Sequence, residues 1–418
     1  MKNKSHATPT RSTLSVFRQL CNLIPTHLVA HLARATGGEE KSRSFTPWSH
    51  VVSLRFAQFT HALGRNDVCD SLRLHSGPLA AIRGATPPSR NGLSTANRHR
   101  PAALAEQLFW KTLEHLQNRS PAFAAGRAGK RLAHRFKAAS HIVDATTIQL
   151  VANALDWAKH RRRKAAAQCH LRLDWHSFLP RFVLLATARE HDAKRAREVC
   201  AAIRAGEIVL FDKAYVDFAH LFDLLVRGVF WVTRAKDNLK FKVVQRRLKK
   251  PAGKILRDDE ILLTHKPSRA DYPPRLRRVV ALVEVDGVER ELVFLTNNLA
   301  WTASTVADLY RCRWQIEVFF KQLKQTLQLA DFLGNSANAV RWQVWTALLV
   351  YVLLRYQAFQ SRWRSSFVRL WTCVRAALWL KVDAVALLKS YGTAGGDFRL
   401  LGQPEAAYLP GFRPTAMG

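Results

Sequence analysis

The run "EIVLFDKAY", beginning at Glu207, limits the fold more than any other segment of this chain. A strand with one face in water alternates apolar and polar residues, whereas Ile208–Phe211 is apolar at every position and so asks for cover on both faces. Such a strand belongs in the middle of a sheet with helices packed above and below it. Upstream, "AASHIVDATTIQL" is rich in β-branched residues and holds Asp144 in its middle. In "AQCHLRLDW", Cys169, Leu171 and Leu173 alternate with His170, Arg172 and Asp174, and "FLPRFVLLATA" is a third short apolar run. "EHDAKRAREVCAAIRAG" reads as a helix stopped at Gly206. Three strands, a helix and a buried strand make an α/β layout with a mixed sheet.

Helical patterns flank this centre. Residues 12–35 read as one amphipathic helix ending at Gly37 and Gly38. A second helix starts with Thr46 as N-cap and Pro47 at its first position, and a long one runs from Pro101 to about Leu116. The short segments between them, with Arg90, Asn97, Arg98 and Arg100, resemble a helix-turn-helix reader of DNA, with Arg98 a DNA contact. The same pattern also suits a basic helical bundle that enters no groove. Residues 236–300 read as antiparallel strands, and Asp286-Gly287 between Val285 and Val288 signals a tight hairpin. The expected organisation is a flexible basic N-terminus (1–11), a helical DNA-binding region (12–133) and an α/β catalytic domain (134–330). That domain carries the β-rich insertion at about 236–300, and is followed by a helical region (331–390) and a tail (391–418).

Several classes are set aside. "VWTALLVYVLL", from Val344, is about half the length of a bilayer span and runs into Arg355, so a buried helix is expected and no membrane partner. The first twenty residues lack a continuous apolar core, so no signal peptide is read there. Six scattered cysteines without metal-ligand spacing fit reduced thiols of a cytoplasmic protein. Lysine and arginine outnumber aspartate and glutamate 65 to 31, a formal charge of +34 spread along the chain. An anionic polymer is the natural partner of such a chain, because neutralised phosphates release counterions.

Against that basic background, carboxylates on apolar strands stand out. An unpaired charge at Asp144 or Asp212 would be costly to bury. One aspartate alone could pair with an arginine or cap a loop. Two in one sheet could share cations, and oxygen-only donors favour Mg²⁺ or Mn²⁺. A pair of such ions suits displacement at a phosphodiester. Glu317 is the candidate third ligand. At about 100° per residue, Tyr310, Arg313, Glu317, Lys321 and Lys324 fall in a stripe of roughly 80° beside an apolar face. Taken alone, the run also fits a solvated helix surface with Glu317–Lys321 pairing. After "GVFWVTRAK", Arg234 and Lys236 read as DNA contacts, while Trp231 reads as a core aromatic or a base-stacking one. Arg161–Lys164 is a candidate backbone-binding loop, and His191-Asp192 follows the third strand near the expected site.

The spacing Tyr310-x2-Arg313-x3-Glu317-x6-Lys324 resembles the Y-R-E-K signature of DDE transposases of the insertion sequence four family. "VDATTIQL" and "VLFDKAYVDF" resemble that family's first-aspartate and second-aspartate strands, and the likeness covers roughly residues 12 to 360. It implies a ribonuclease-H-like catalytic domain with Asp144, Asp212 and Glu317 as catalytic metal ligands. It also implies cut-and-paste cleavage and strand transfer at terminal inverted repeats, with target DNA as second substrate and a dimer in the synaptic complex. Members with this signature can pass through a hairpin intermediate. By the same resemblance Tyr310, Arg313 and Lys324, with Lys321 on the same edge, bind DNA near the scissile bond. A nuclease without strand transfer and a catalytically decayed DNA-binding protein are the alternatives. One departure concerns the turn after the second aspartate: relatives often read Asp-Arg-Gly-Tyr, and this chain has Asp212-Lys213-Ala214-Tyr215, so a different local turn is expected.

Overall fold

The computed structural model describes residues 9–39, 45–62, 64–125, 138–150, 159–160, 164–187, 192–285, 287–327 and 333–391. Arg161–Arg163 and His191 lie outside the described residues, as do most of the expected N-terminal and C-terminal tails.

A single mixed sheet organises the chain. Its strands are β1 (Ser140–Leu150), β2 (Lys159–His160), β3 (Lys164–Asp174), β4 (Pro180–Thr187), β5 (Ile208–Phe211), β6 (Phe230–Arg234), β7 (Phe241–Arg246), β8 (Ile255–Leu263), β9 (Leu276–Val285) and β10 (Val288–Thr296). They lie in the order β2-β3-β1-β5-β6-β10-β9-β8-β7, with β4 also on β3. β1, β3 and β4 pair antiparallel, and β1, β5 and β6 run parallel. Successive residues of the central strands feed opposite cores. Ile142, Ile208, Leu210 and Val232 join one, and Val143, Val209, Phe211 and Trp231 join the other. Both faces of the apolar run are thus covered, as its composition requires. Trp231 is fully buried and its Nε1 donates to the Leu221 carbonyl, so the core role holds and base stacking does not.

The strands of residues 236–300 extend this sheet, because β10 pairs with β6. A hairpin joins β9 to β10 as expected, with Val285 opposite Val288 and Gly287 at φ +76°; Asp286 lies outside the described residues.

The N-terminal helices are α1 (Val16–Asn22), α2 (Leu28–Ala35), α3 (Pro47–Thr60), α4 (Arg65–Leu74), α5 (Ser76–Ala80), α6 (Arg90–His99), α7 (Ala102–Arg119) and α8 (Pro121–Ala125). The single helix expected over 12–35 is two, interrupted around Pro25, whose ring cannot sit inside a helix. Thr46 caps α3 through its side chain and Pro47 opens the helix, as read from sequence. On the sheet side follow α9 (Asp192–Cys200), α10 (Phe218–Val226), α11 (Lys266–Asp271), α12 (Ala303–Arg313) and α13 (Gln315–Lys321). The C-terminal helices are α14 (Ala337–Gln360), α15 (Phe367–Ala376) and α16 (Ala384–Ser390). α14 is long and apolar enough to cross a membrane, but it is buried on nearly every side and shares one core with α3, α6 and α7. It is the buried helix its sequence suggested.

Two histidines are buried in this frame. His50 on α3 donates through Nε2 to Oδ1 of Asn97 (2.8 Å) and sits 4.4 Å from the Trp342 ring. Burial, helped by Arg100, pushes its pKa down to about 3. His220 on α10 is equally buried, neither ring nitrogen has a hydrogen-bond partner, and burial brings its pKa down to about 4. An unfolded histidine titrates near about 6.5, so below that pH the unfolded chain binds protons that the folded chain refuses. Stability is therefore lost as pH falls below that value. At about pH 5 each histidine costs roughly 2 kcal/mol. Urea midpoints measured from neutral pH down to about 5 should fall steadily; a flat profile would refute this account of the two rings.

Candidate active site

Register places the two aspartates together. Val143 of β1 lies opposite Phe211 of the parallel strand β5, so Asp144 and Asp212 are the next positions on adjacent strands. Each carboxylate takes a backbone N–H, Asp144 Oδ1 from Ala145 (2.8 Å) and Asp212 Oδ1 from Lys213 (2.7 Å). The turn after Asp212 is a short 3₁₀ segment, Lys213–Tyr215, capped by the Asp212 side chain. Ala214 does not adopt positive φ there, so alanine fits this turn without strain.

α12 and α13 bring the remaining groups. Arg313 is 6% exposed and bridges two carboxylates, with Nη1 on Asp144 Oδ2 (3.0 Å) and Nη2 on Glu317 Oε1 (2.8 Å). Its Nε is buried without a partner, and its guanidinium lies 5.6 Å from the Tyr310 ring. Tyr310 is 1% exposed, packs on Phe294 and points its hydroxyl at Asp212 Oδ1 (3.4 Å). Burial raises the Tyr310 pKa, so it stays a neutral donor. Burial also pushes Asp144 up to about 6, against the lowering effect of Arg313 and the Ala145 N–H, while Asp212 and Glu317 add repulsion. The five groups Asp144, Asp212, Tyr310, Arg313 and Glu317 thus form one electrostatic cluster. Among the described residues, no three His, Cys, Asp or Glu side chains are gathered closely enough to hold a metal ion in this arrangement.

The other sequence candidates differ in how near they come to that cluster. A single straight helix from Tyr310 to Lys324 does not form: the chain turns at Trp314 between α12 and α13, then enters a π turn over Gln322–Thr326. Lys321 remains exposed, while Lys324 is half-buried in the π turn, its pKa lowered by burial and facing the Cys169 thiol of β3. Arg234 ends β6 opposite Phe294, half-buried and within electrostatic reach of Tyr310. Lys236 donates to the Val216 carbonyl (2.9 Å) and lines an open cleft of about 430 Å³ with Asp212, Lys213 and Asp237. Arg98 lies on α6, exposed, whereas its neighbours Asn97 and Arg100 turn inward, Arg100 donating to the Thr46 and Phe45 carbonyls. Sequence reading missed the pair behind the site, His170 Nδ1 and Tyr215 Oη at 2.9 Å, both buried. Its signal was available: a tyrosine three residues after Asp212 and a histidine inside an alternating strand.

Residues 140–353 match the family described as "Transposase DDE domain", and residues 12–82 match a domain of unknown function, DUF4372. The protein y4zB of Sinorhizobium fredii, named as a transposase, is 31% identical over 304 residues, 72% of this chain and 80% of that protein. A relative from Geobacillus stearothermophilus, named as the transposase of insertion sequence element IS5377, is 30% identical over 54% of this chain and 59% of its own length. One from Synechocystis, named as the transposase of element IS4SA, is 23% identical over 42% of this chain and 49% of its own.

Proposed function

The chain belongs to the DDE transposases of the insertion sequence four type, and we propose that it cuts the terminal inverted repeats of its own element and joins the freed ends to target DNA, acting as a synapsed dimer. The order β4-β3-β1-β5-β6, three antiparallel strands followed by two parallel ones, supports a ribonuclease-H-like catalytic unit. One observation carries the site assignment: two register-matched aspartates face an arginine that also holds Glu317.

By chemistry the donor set suits a hard divalent cation, and its three carboxylates would have to draw closer than the arrangement held by Arg313 to share one. Asp144, Asp212 and Glu317 offer only carboxylate oxygens, and the Arg313 guanidinium supplies the positive charge that Asp144 and Glu317 demand. These three residues would hold Mg²⁺ or Mn²⁺, two ions in the proposed reading, which when bound activate water and neutralise charge at the phosphate. In the first step a water oxygen bonds to phosphorus, the P–O3′ bond breaks, and a 3′-hydroxyl and a 5′-phosphate remain. In the second, that 3′-hydroxyl attacks a target phosphodiester and releases the target's own 3′-hydroxyl. The protein's part is placement and charge. Arg313 stays cationic at any working pH and balances the half-buried Asp144 and the exposed Glu317. Tyr310 orients Asp212. Lys321, Lys324, Arg234 and Lys236 supply positive charge for the DNA strands that approach, and Arg98 does so from the helical region.

A plasmid carrying the repeats that flank the gene, incubated with the protein and Mg²⁺, should yield paired-end complexes and joined products in a supercoiled target. Cut ends with no joined product would reduce the protein to a nuclease.

A further inference from the structure

A second basic cavity lies away from the carboxylates. It measures about 370 Å³ and opens where α4 and α6 meet the start of α14. Arg65, Ser94, Asn97 and Arg98 line one side, Gly334 and Ser336 the other, and no aspartate or glutamate is among its lining residues. Ser336 caps α14 through its side chain, accepting from the Ala339 N–H at 3.2 Å. A helix of 24 residues presents unpaired N–H groups and a partial positive charge at this end. Arg65 is oriented by donating to Ser94 Oγ (2.9 Å), and Arg98 is exposed.

Asn97 points to a ligand independently of the helix. It is 2% exposed, its Oδ1 accepts from His50, and its Nδ2 is buried without a partner. An unpaired buried donor of this kind is costly unless something accepts from it. It faces the backbone at Gly334, where an added Cβ would come 3.8 Å from Nδ2 and 2.8 Å from the Ala339 Cβ. Glycine keeps that wall open. Asn338 braces the two walls, donating to the Asn97 and Arg100 carbonyls and accepting from the Ala102 N–H.

We propose that this cavity binds one phosphate of the DNA backbone, outside the active site, through Arg65, Arg98, the Asn97 amide and the N-terminus of α14. The inference rests on the DNA-binding reading above and gives that binding a fixed anchor between the N-terminal helices and the helix that underlies the core. Arginine charge supplies affinity here, and the amide with the helix N–H groups fixes position.

The test is the salt dependence of binding to a random-sequence duplex of about 30 base pairs, read by fluorescence anisotropy with the full chain. Replacing Arg65 and Arg98 together by alanine should weaken binding roughly tenfold at low salt. It should also flatten the plot of log affinity against log salt by about 0.9 for the phosphate lost. Arg65→Lys with Arg98→Lys should restore the slope, because charge rather than shape sets it. Thermal melting of the alanine variant at the wild-type temperature keeps misfolding out of the comparison, and Arg98→Glu alone, at an exposed position, gives a second reading in the same direction. Wild-type slope and affinity in the alanine variant and in Arg98→Glu would overturn the pocket while leaving DNA binding intact. A wild-type chain that does not bind the duplex at all would overturn the DNA-binding reading and the pocket with it.

Discussion

Asp144→Asn is expected to abolish strand cleavage while leaving DNA binding and folding in place. The amide has the shape of the carboxylate and keeps an oxygen for the Ala145 N–H. What it removes is the charge that Arg313 and a bound cation require. Stabilisation by a catalytic cation is worth several kcal/mol and each ~1.4 kcal/mol is tenfold, so the loss should be about 10³-fold or more. Stability should not follow activity downward. Burial raises the Asp144 pKa to about 6, which means the fold disfavours the charged form at this position, and a neutral amide escapes that penalty. Asp212→Asn and Glu317→Gln should behave alike in cleavage, with end binding within a few-fold of wild type. Gel assays of supercoiled plasmid nicking beside melting curves would separate the roles. Nicking at the wild-type rate by Asp144→Asn would remove this residue from the site.

The aspartates were legible because a charge in an apolar strand is conspicuous. Their adjacency was not, since it depends on Val143 meeting Phe211 across a parallel pair, and nothing local fixes that register. Arg313 shows a different limit. On a helical wheel it shares an edge with Glu317 and Lys324 and so reads as a DNA contact. In the fold its side chain is buried and spans Asp144 and the exposed Glu317 with charge-assisted bonds, a pairing to the sheet that a helical wheel does not contain. The π turn at Gln322–Thr326 carries no local signature in the sequence. Gln58 of α3 donates to the Leu327 carbonyl and the ring of His61, which caps α3, meets the Thr326 carbonyl at 2.9 Å, so the end of the π turn is tied to side chains remote in sequence. The hairpin at Gly287 is a local signal, set by the turn residues themselves. That its strand β10 would pair with β6, and so make the insertion part of the catalytic sheet, was a tertiary fact.

That continuity gives Arg277 a stabilising role outside the site. It lies on β9, 1% exposed, and grips Asp258 of β8 with two bonds, Nε to Oδ1 (2.8 Å) and Nη2 to Oδ2 (2.7 Å). Its third nitrogen donates to the Trp301 carbonyl, in the loop that leads into α12 and so to Tyr310 and Arg313. Arg277→Ala would leave a buried carboxylate without its cation, at a cost of about 3–5 kcal/mol. Arg247 approaches Asp258 only at 3.9 Å and is already bound to Glu260 at 3.1 Å, so it cannot take over the bidentate pairing. Converting both partners to apolar residues, Arg277→Met with Asp258→Leu, should recover most of the loss, because no unpaired charge remains. Urea unfolding of the two single variants and the double variant measures the coupling directly. If Arg277→Ala costs less than about 1 kcal/mol, the value of an exposed pair, then water or a neighbouring arginine solvates Asp258 and the bridge does not hold the insertion to the loop before α12. If the cost is as large as expected, the loop should lose its anchor as well, and cleavage by the surviving folded fraction should fall while Asp144, Asp212 and Glu317 are untouched.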